Sequence, residues 1–167
     1  IGAAGACRAT VDAWLLLDNS RSFYDTHDNV SAWAGGFVDR FAYDAADPPR
    51  IGIIQVNWCD KIECTDTESA TVVMNLTSDR DALLAAIAAR PRTQRKTCIS
   101  CALRVAWNQT ALQGREDAQP TFILLSDYYQ TAGGTNDKAA DEADVVKAGG
   151  GRILAVGLSE GGLDEVQ

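Results

Sequence analysis

The sequence predicts an α/β fold: a doubly wound, mostly parallel sheet with one antiparallel edge strand and helices on both faces. Three observations lead there. Apolar runs such as Val11-Asp12-Ala13-Trp14-Leu15-Leu16-Leu17 are nearly continuous, the pattern of strands buried on both faces. These runs alternate with stretches of helical periodicity. Between the second and third runs lies one short polar connection, 59–69, of the length of a hairpin-like return.

The elements follow in order. The first strand, 11–17, leads into the polar loop Asp18-Asn19-Ser20-Arg21-Ser22. Val30, Trp33, Ala34, Phe37, Val38 and Phe41 then recur at i, i+3, i+4, i+7, i+8 and i+11, the stripe of an amphipathic helix, with Asp39 and Arg40 on its polar face. Asp47-Pro48-Pro49 ends this unit, because proline cannot continue a helix. The second strand is 51–56. The third, 70–76, is rich in β-branched residues and runs antiparallel to the second. Ser78 or Asp79 caps a helix through Ala89, and Pro91 closes it. Ile99, Ala102, Leu103 and Ala106 give the next helical face. Thr121 to Leu125 is an apolar strand followed by a polar turn at Ser126-Asp127. A small-residue helix, 136–148, stops at Gly149-Gly150-Gly151. The last strand is 153–156, and 163–167 begins a helix that the chain does not finish. Trp14 and Trp33 fall on buried faces, Trp58 sits at a loop as an exposed contact, and His27 reads as a capping or surface residue.

Composition narrows the function. The 167 residues make one domain, 1–167, without a linker or repeat. No apolar run approaches the ~20 residues of a membrane span. A net charge of −8 without a basic patch excludes nucleic acid as a default partner. A single histidine, His27, argues against histidine-based triads and multi-histidine metal centres. The start at Ile1, with neither methionine nor signal peptide, reads as a processed piece of a longer chain.

Five cysteines, Cys7, Cys59, Cys64, Cys98 and Cys101, accompany three N-x-S/T sequons at Asn29, Asn75 and Asn108. Together they predict a secreted, disulfide-bonded glycoprotein. Local bridges Cys59–Cys64 and Cys98–Cys101 are expected, with cross-pairing as the alternative and Cys7 seeking a partner outside the segment. Zinc is the rival reading, but C-x4-C with C-x2-C matches the usual zinc spacings only loosely.

In an open α/β sheet, ligands bind beyond the carboxyl ends of the strands. The first strand delivers Asp18, Ser20 and Ser22 there, the fourth delivers Asp127, and Thr97 precedes the helix that begins near Ile99. All five offer oxygen, which suits magnesium, manganese or calcium rather than zinc or copper. Each alone has an ordinary role in an Asx-turn or helix cap. Their convergence on one sheet edge is what points to a cation.

Here the sequence resembles the von Willebrand factor type A domain of integrin inserted domains and extracellular adhesins. Asp18-Asn19-Ser20-Arg21-Ser22 matches that family's D-x-S-x-S. Thr97 in Lys96-Thr97-Cys98-Ile99-Ser100-Cys101-Ala102-Leu103 matches its threonine segment, and Phe122-Ile123-Leu124-Leu125-Ser126-Asp127 matches its strand ending in T-D-G. The resemblance runs from about Val11 to Val166. It implies a metal-ion-dependent adhesion site holding Mg2+ (or Ca2+ or Mn2+). Ser20 and Ser22 would bind the ion directly, Asp18 and Asp127 through water, and Thr97 directly or through water. A carboxylate from a protein or glycan ligand would complete the shell.

The implied function is an extracellular, divalent-cation-dependent adhesion module and not an enzyme, since no nucleophile–base pair or P-loop is visible. The alternative is a structural module of an extracellular assembly or matrix filament, its cation site filled by a neighbouring subunit or only stabilising. The chain departs from the family at Asn19 and Arg21, which replace small residues, and at Tyr128, which replaces a glycine and is followed by Tyr129. Arg21, Tyr128, Tyr129 and Trp58 are therefore candidate ligand contacts. The family fold continues with a helix, a sixth strand and a final helix, so the domain reads as C-terminally incomplete.

Overall fold

A computed structural model describes residues 10–20, 27–57, 69–91, 96–126 and 136–157. The elements are β1 (Val11–Asp18), α1 (His27–Val38), β2 (Arg50–Val56), β3 (Ala70–Thr77), α2 (Arg80–Ala88), α3 (Ile99–Gln113), β4 (Gln119–Ser126), α4 (Asn136–Ala148) and β5 (Arg152–Gly157). The sheet order is β3-β2-β1-β4-β5. Only the β2–β3 pair is antiparallel, so the mixed sheet expected from sequence is the one observed.

β1 lies at the centre of the sheet, and every residue from Asp12 to Asp18 is buried. Its alternating side chains feed two cores. Trp14 and Leu16 join Ile54, Val56, Phe122 and Leu124 beneath α3 and α4. Ala13, Leu15 and Leu17 join Ile51, Ile53, Ile123 and Leu125 beneath α1 and α2. Each large apolar side chain so buried contributes roughly 1.5–3 kcal/mol. The continuous apolar run in the sequence is thus the signature of a strand with a core on either side.

Trp14 sets a local rule. Its ring lies over Gly52, its register partner on β2, and a Cβ at Gly52 would penetrate the ring. Its indole N–H donates to Thr110 Oγ1 at 3.0 Å, which satisfies the buried donor. At the amino-terminal edge of β1, Asp12 is 1% exposed and is held by two guanidiniums. Arg50 Nε donates at 3.1 Å, Arg115 Nε at 3.0 Å, and the Arg115 backbone N–H at 2.8 Å. Burial pushes the Asp12 carboxyl up, but these bonds outweigh it and hold the group below its ordinary value.

Three details differ from the sequence reading. α1 stops at Val38 rather than reaching Phe41. Arg40 N–H turns back to Phe37 O and Phe41 N–H to Val38 O, so Phe41 meets the core from a tight turn. Trp33 is half-buried rather than core, because the buried line of α1 is Val30, Ala34 and Val38. Trp33 stands beside that line, stacked on Phe37 with centroids 5.4 Å apart. His27 is buried at 6% exposure rather than on the surface. Asp79, of the two candidate caps, is the N-cap of α2, its side chain accepting from Ala82 N–H at 2.9 Å.

Candidate functional site

β1, β2, β4 and β5 are parallel, so their carboxyl ends share one rim. The chain leaves β1 for β2 on one side and returns through β4 on the other. The switch point therefore lies where β1 and β4 end. Asp18 closes β1 and Ser126 closes β4.

These two side chains meet. Ser126 Oγ donates to Asp18 Oδ2 at 2.7 Å, and the Ser20 backbone N–H donates to Asp18 Oδ1 at 2.9 Å. Asp18 and Ser126 are fully buried and Ser20 nearly so. Both carboxylate oxygens are thus oriented by donors. Asn19 anchors the turn from both sides. Its backbone N–H donates to Val56 O at 3.3 Å, and its Nδ2 to Pro91 O at 2.6 Å.

Thr97 arrives from another direction. α3 starts at the rim, for Cys98 and Ile99 pack with Leu16, Val56 and Leu124 near the carboxyl ends of their strands. Thr97, two residues before α3, is 2% exposed. Cys98 is the N-cap of α3, and its sulfur is bonded to that of Cys101 within the first helical turn. Both sulfurs are spent in that bridge, so neither serves as a zinc thiolate.

Arg90 is the residue the sequence reading missed. It follows α2, which starts at the opposite edge near the Ile51–Thr77 pair and climbs to the rim. The residue is 3% exposed. Nη2 donates to Ser31 Oγ at 3.2 Å, while Nε and Nη1 are buried without a hydrogen-bond partner. Burial pulls its pKa down to about 10, and the negative charge of Asp18 opposes that fall. Arg90 therefore remains a cation at neutral pH.

Asp18, Ser20 and Thr97 all carry hard oxygen, the donor type that suits Mg2+, Mn2+ or Ca2+, and hydrogen bonds join Asp18 to Ser20 and Ser126. Among the described residues, no three His, Cys, Asp or Glu side chains lie together as a metal cluster. The second expected carboxylate, Asp127, lies outside the described residues, as do Arg21, Ser22, Trp58, Cys7, Cys59, Cys64, Tyr128 and Tyr129. The sequon asparagines Asn29, Asn75 and Asn108 are exposed, and Asn75 Oδ1 accepts from Gln113 Nε2 at 3.0 Å. Among the described residues, no helix is long and apolar enough to cross a membrane.

In open α/β sheets the switch point is where ligands bind when they do. No protein-family model and no curated protein matches the sequence. Solved structures do match. Proximal thread matrix protein 1 from the mussel byssus superposes with a TM-score of 0.74 at 20% identity, over 92% of this chain and 39% of its own. One structure of that protein has a zinc-occupied MIDAS motif. The manganese-loaded TRAP protein of Plasmodium vivax matches with a TM-score of 0.71 at 18% identity, over 93% of this chain and 59% of its own. The pilus adhesin SpaC of Lactobacillus rhamnosus GG matches with a TM-score of 0.69 at 17% identity, over 90% of this chain and 24% of its own. The chain has the von Willebrand factor type A fold of these proteins, an adhesin and a matrix protein among them. It spans less than two thirds of the length of each.

Proposed function

We propose that this chain is a divalent-cation-dependent protein- or glycan-binding module that works outside the cell, as one domain of a larger adhesive chain. The observation that carries the reading is the buried Asp18 carboxylate, oriented by Ser20 N–H and Ser126 Oγ at the sheet's switch point. On this reading Ser20 and Ser22 touch the ion directly, Asp18 and Asp127 act through water, and Thr97 closes the set from the start of α3. The ion supplies positive charge that a partner's carboxylate can bind. Ser126 and Asn19 act through position: one fixes the Asp18 carboxylate, the other fixes the turn that bears Ser20. Arg21, Tyr128, Tyr129 and Trp58 are the proposed ligand contacts around this centre.

The zinc-occupied motif of the mussel protein and the manganese-loaded TRAP protein support a divalent cation. The reading is of binding rather than catalysis, in keeping with the adhesin and matrix protein of like fold. The test is capture of partners from the native source with Mg2+ and then with EDTA. Release by EDTA is expected, and capture indifferent to EDTA overturns the reading.

The mussel thread protein favours a second reading, a structural module of an extracellular filament. In that case assembly persists in EDTA, and no soluble carboxylate competes.

A further inference from the structure

Arg90 is an anomaly on physical grounds. A buried cation costs several kcal/mol unless it is paired and fully hydrogen-bonded. Arg90 is 3% exposed, yet two of its three guanidinium nitrogens, Nε and Nη1, have no hydrogen-bond partner. Its one side-chain bond goes to a neutral hydroxyl, Ser31 Oγ, which offsets little of a full charge.

Packing alone does not account for it. The neighbouring helix positions that do face the core, Leu83 and Ile87, are apolar. An apolar side chain at 90 would bury at no electrostatic cost. What distinguishes the position is its junction with the candidate site. Pro91 O, the next carbonyl along, accepts from Asn19 Nδ2, so the segment bearing Arg90 is tied to the turn bearing Asp18 and Ser20. Asp18 in turn is a fully buried carboxylate that accepts from Ser20 N–H and Ser126 Oγ.

We infer that Arg90 is a resident counter-cation of the candidate metal centre: it offsets the charge of Asp18 when no ion is bound, and it lowers the affinity of the centre for a divalent cation when one binds. This deepens the metal reading given above and rests on it for its second half. The first half stands on the two buried charges alone. Coulomb energy falls slowly with distance in a poorly solvated interior, so a fixed positive charge near Asp18 repels a divalent ion twice as strongly as it would a monovalent one. The centre is thereby tuned to hold its ion more weakly than its oxygen donors alone would allow.

The test uses the chain as it stands, with R90M, which removes the charge, R90K, which keeps it, and D18N. Thermal denaturation in EDTA reads the first half. D18N, R90M and the double variant form a cycle. The melting-temperature loss caused by R90M is expected to shrink by at least about half in the D18N background, because the charge it would compensate is gone. Additive losses overturn the inference.

Calorimetric titration with Mn2+ alone reads the second half. R90M is expected to bind about tenfold more tightly than the parent chain, and R90K like the parent. Equal affinity of R90M and parent overturns the inference while the metal reading survives. If the parent binds no Mn2+, the metal reading fails, and the thermal cycle alone decides whether Arg90 compensates Asp18. R90Q replaces R90M in both arms if R90M does not fold.

Discussion

Ser126 and Asp18, 108 residues apart in sequence, are joined by a 2.7 Å hydrogen bond at the buried junction of β4 and β1. The bond links the two strands that flank the switch point and fixes the orientation of the one carboxylate described at the rim. A hydrogen bond to a buried charged group contributes about 1.5–3 kcal/mol. Ser126→Ala is therefore expected to lower unfolding stability by that order, measured by urea denaturation. A loss under a few tenths of a kcal/mol would show that the Asp18 carboxylate does not need this donor.

Asp18→Asn keeps the shape of the side chain and removes its charge. On the proposed reading it abolishes Mn2+ uptake in calorimetry and EDTA-sensitive partner capture, while the chain stays folded by circular dichroism. Uptake equal to that of the parent would remove Asp18 from the site.

Much of this architecture was legible in the sequence, and the reason is local. The centres of β1 and β4, 13–17 and 122–125, are continuously apolar because both faces of each are buried, and that leaves a mark no distant residue can erase. The positions of Asp18 and Ser20 at the end of β1 and of Thr97 just ahead of α3 were legible because each lies beside an element boundary, where spacing carries meaning. Ser126 and Arg90 were not. Ser126 acquires its role from a partner on another strand, and a buried arginine has no sequence signature to set it apart from a surface one. The overextended α1 has a similar cause: Phe41 keeps the apolar period because it packs on the core from a turn, so periodicity ran past the helix that produced it.

The Trp14–Gly52 contact is a test of close packing. A methyl group at position 52 has no room, because the Trp14 ring occupies the space where the Cβ would stand. Overpacking of this kind costs about 1–3 kcal/mol, and more where the obstacle is a rigid ring held by its own hydrogen bond. Gly52→Ala is expected to destabilise by at least that amount in urea denaturation. Trp14→Phe in the same background should recover part of the loss, since it removes the obstructing ring.

Asp12 gives the fold an acid limit. Its carboxyl is held below the ordinary 3.8 by Arg50 and Arg115 against the opposing effect of burial. A depressed folded-state pKa contributes stability that is fully present above the unfolded value and is lost as pH falls through the folded one. The parent chain should thus lose this contribution below about pH 4, the unfolded range of an aspartate. Asp12→Asn is expected to be less stable than the parent at pH 7, with the gap in melting temperature narrowing as pH drops below 4. A gap that is constant across that range would mean that the two arginines stabilise the site by geometry rather than by charge.

The Cys98–Cys101 bridge closes a loop of only a few residues within the first turn of α3, so by loop entropy it stabilises the fold by at most about 2 kcal/mol. Its larger effect should be on the position of Thr97, the residue just before it. On the proposed reading the bridge holds Thr97 ready for the ion, and freeing it makes cation binding bear the cost of ordering that segment. The double variant Cys98→Ser with Cys101→Ser is expected to fold with a small loss of stability and to bind Mn2+ several-fold more weakly in calorimetry. If the folded double variant binds Mn2+ as the parent does, the bridge is a fastener of α3 alone, and Thr97 is held in place by its burial without help from the sulfurs.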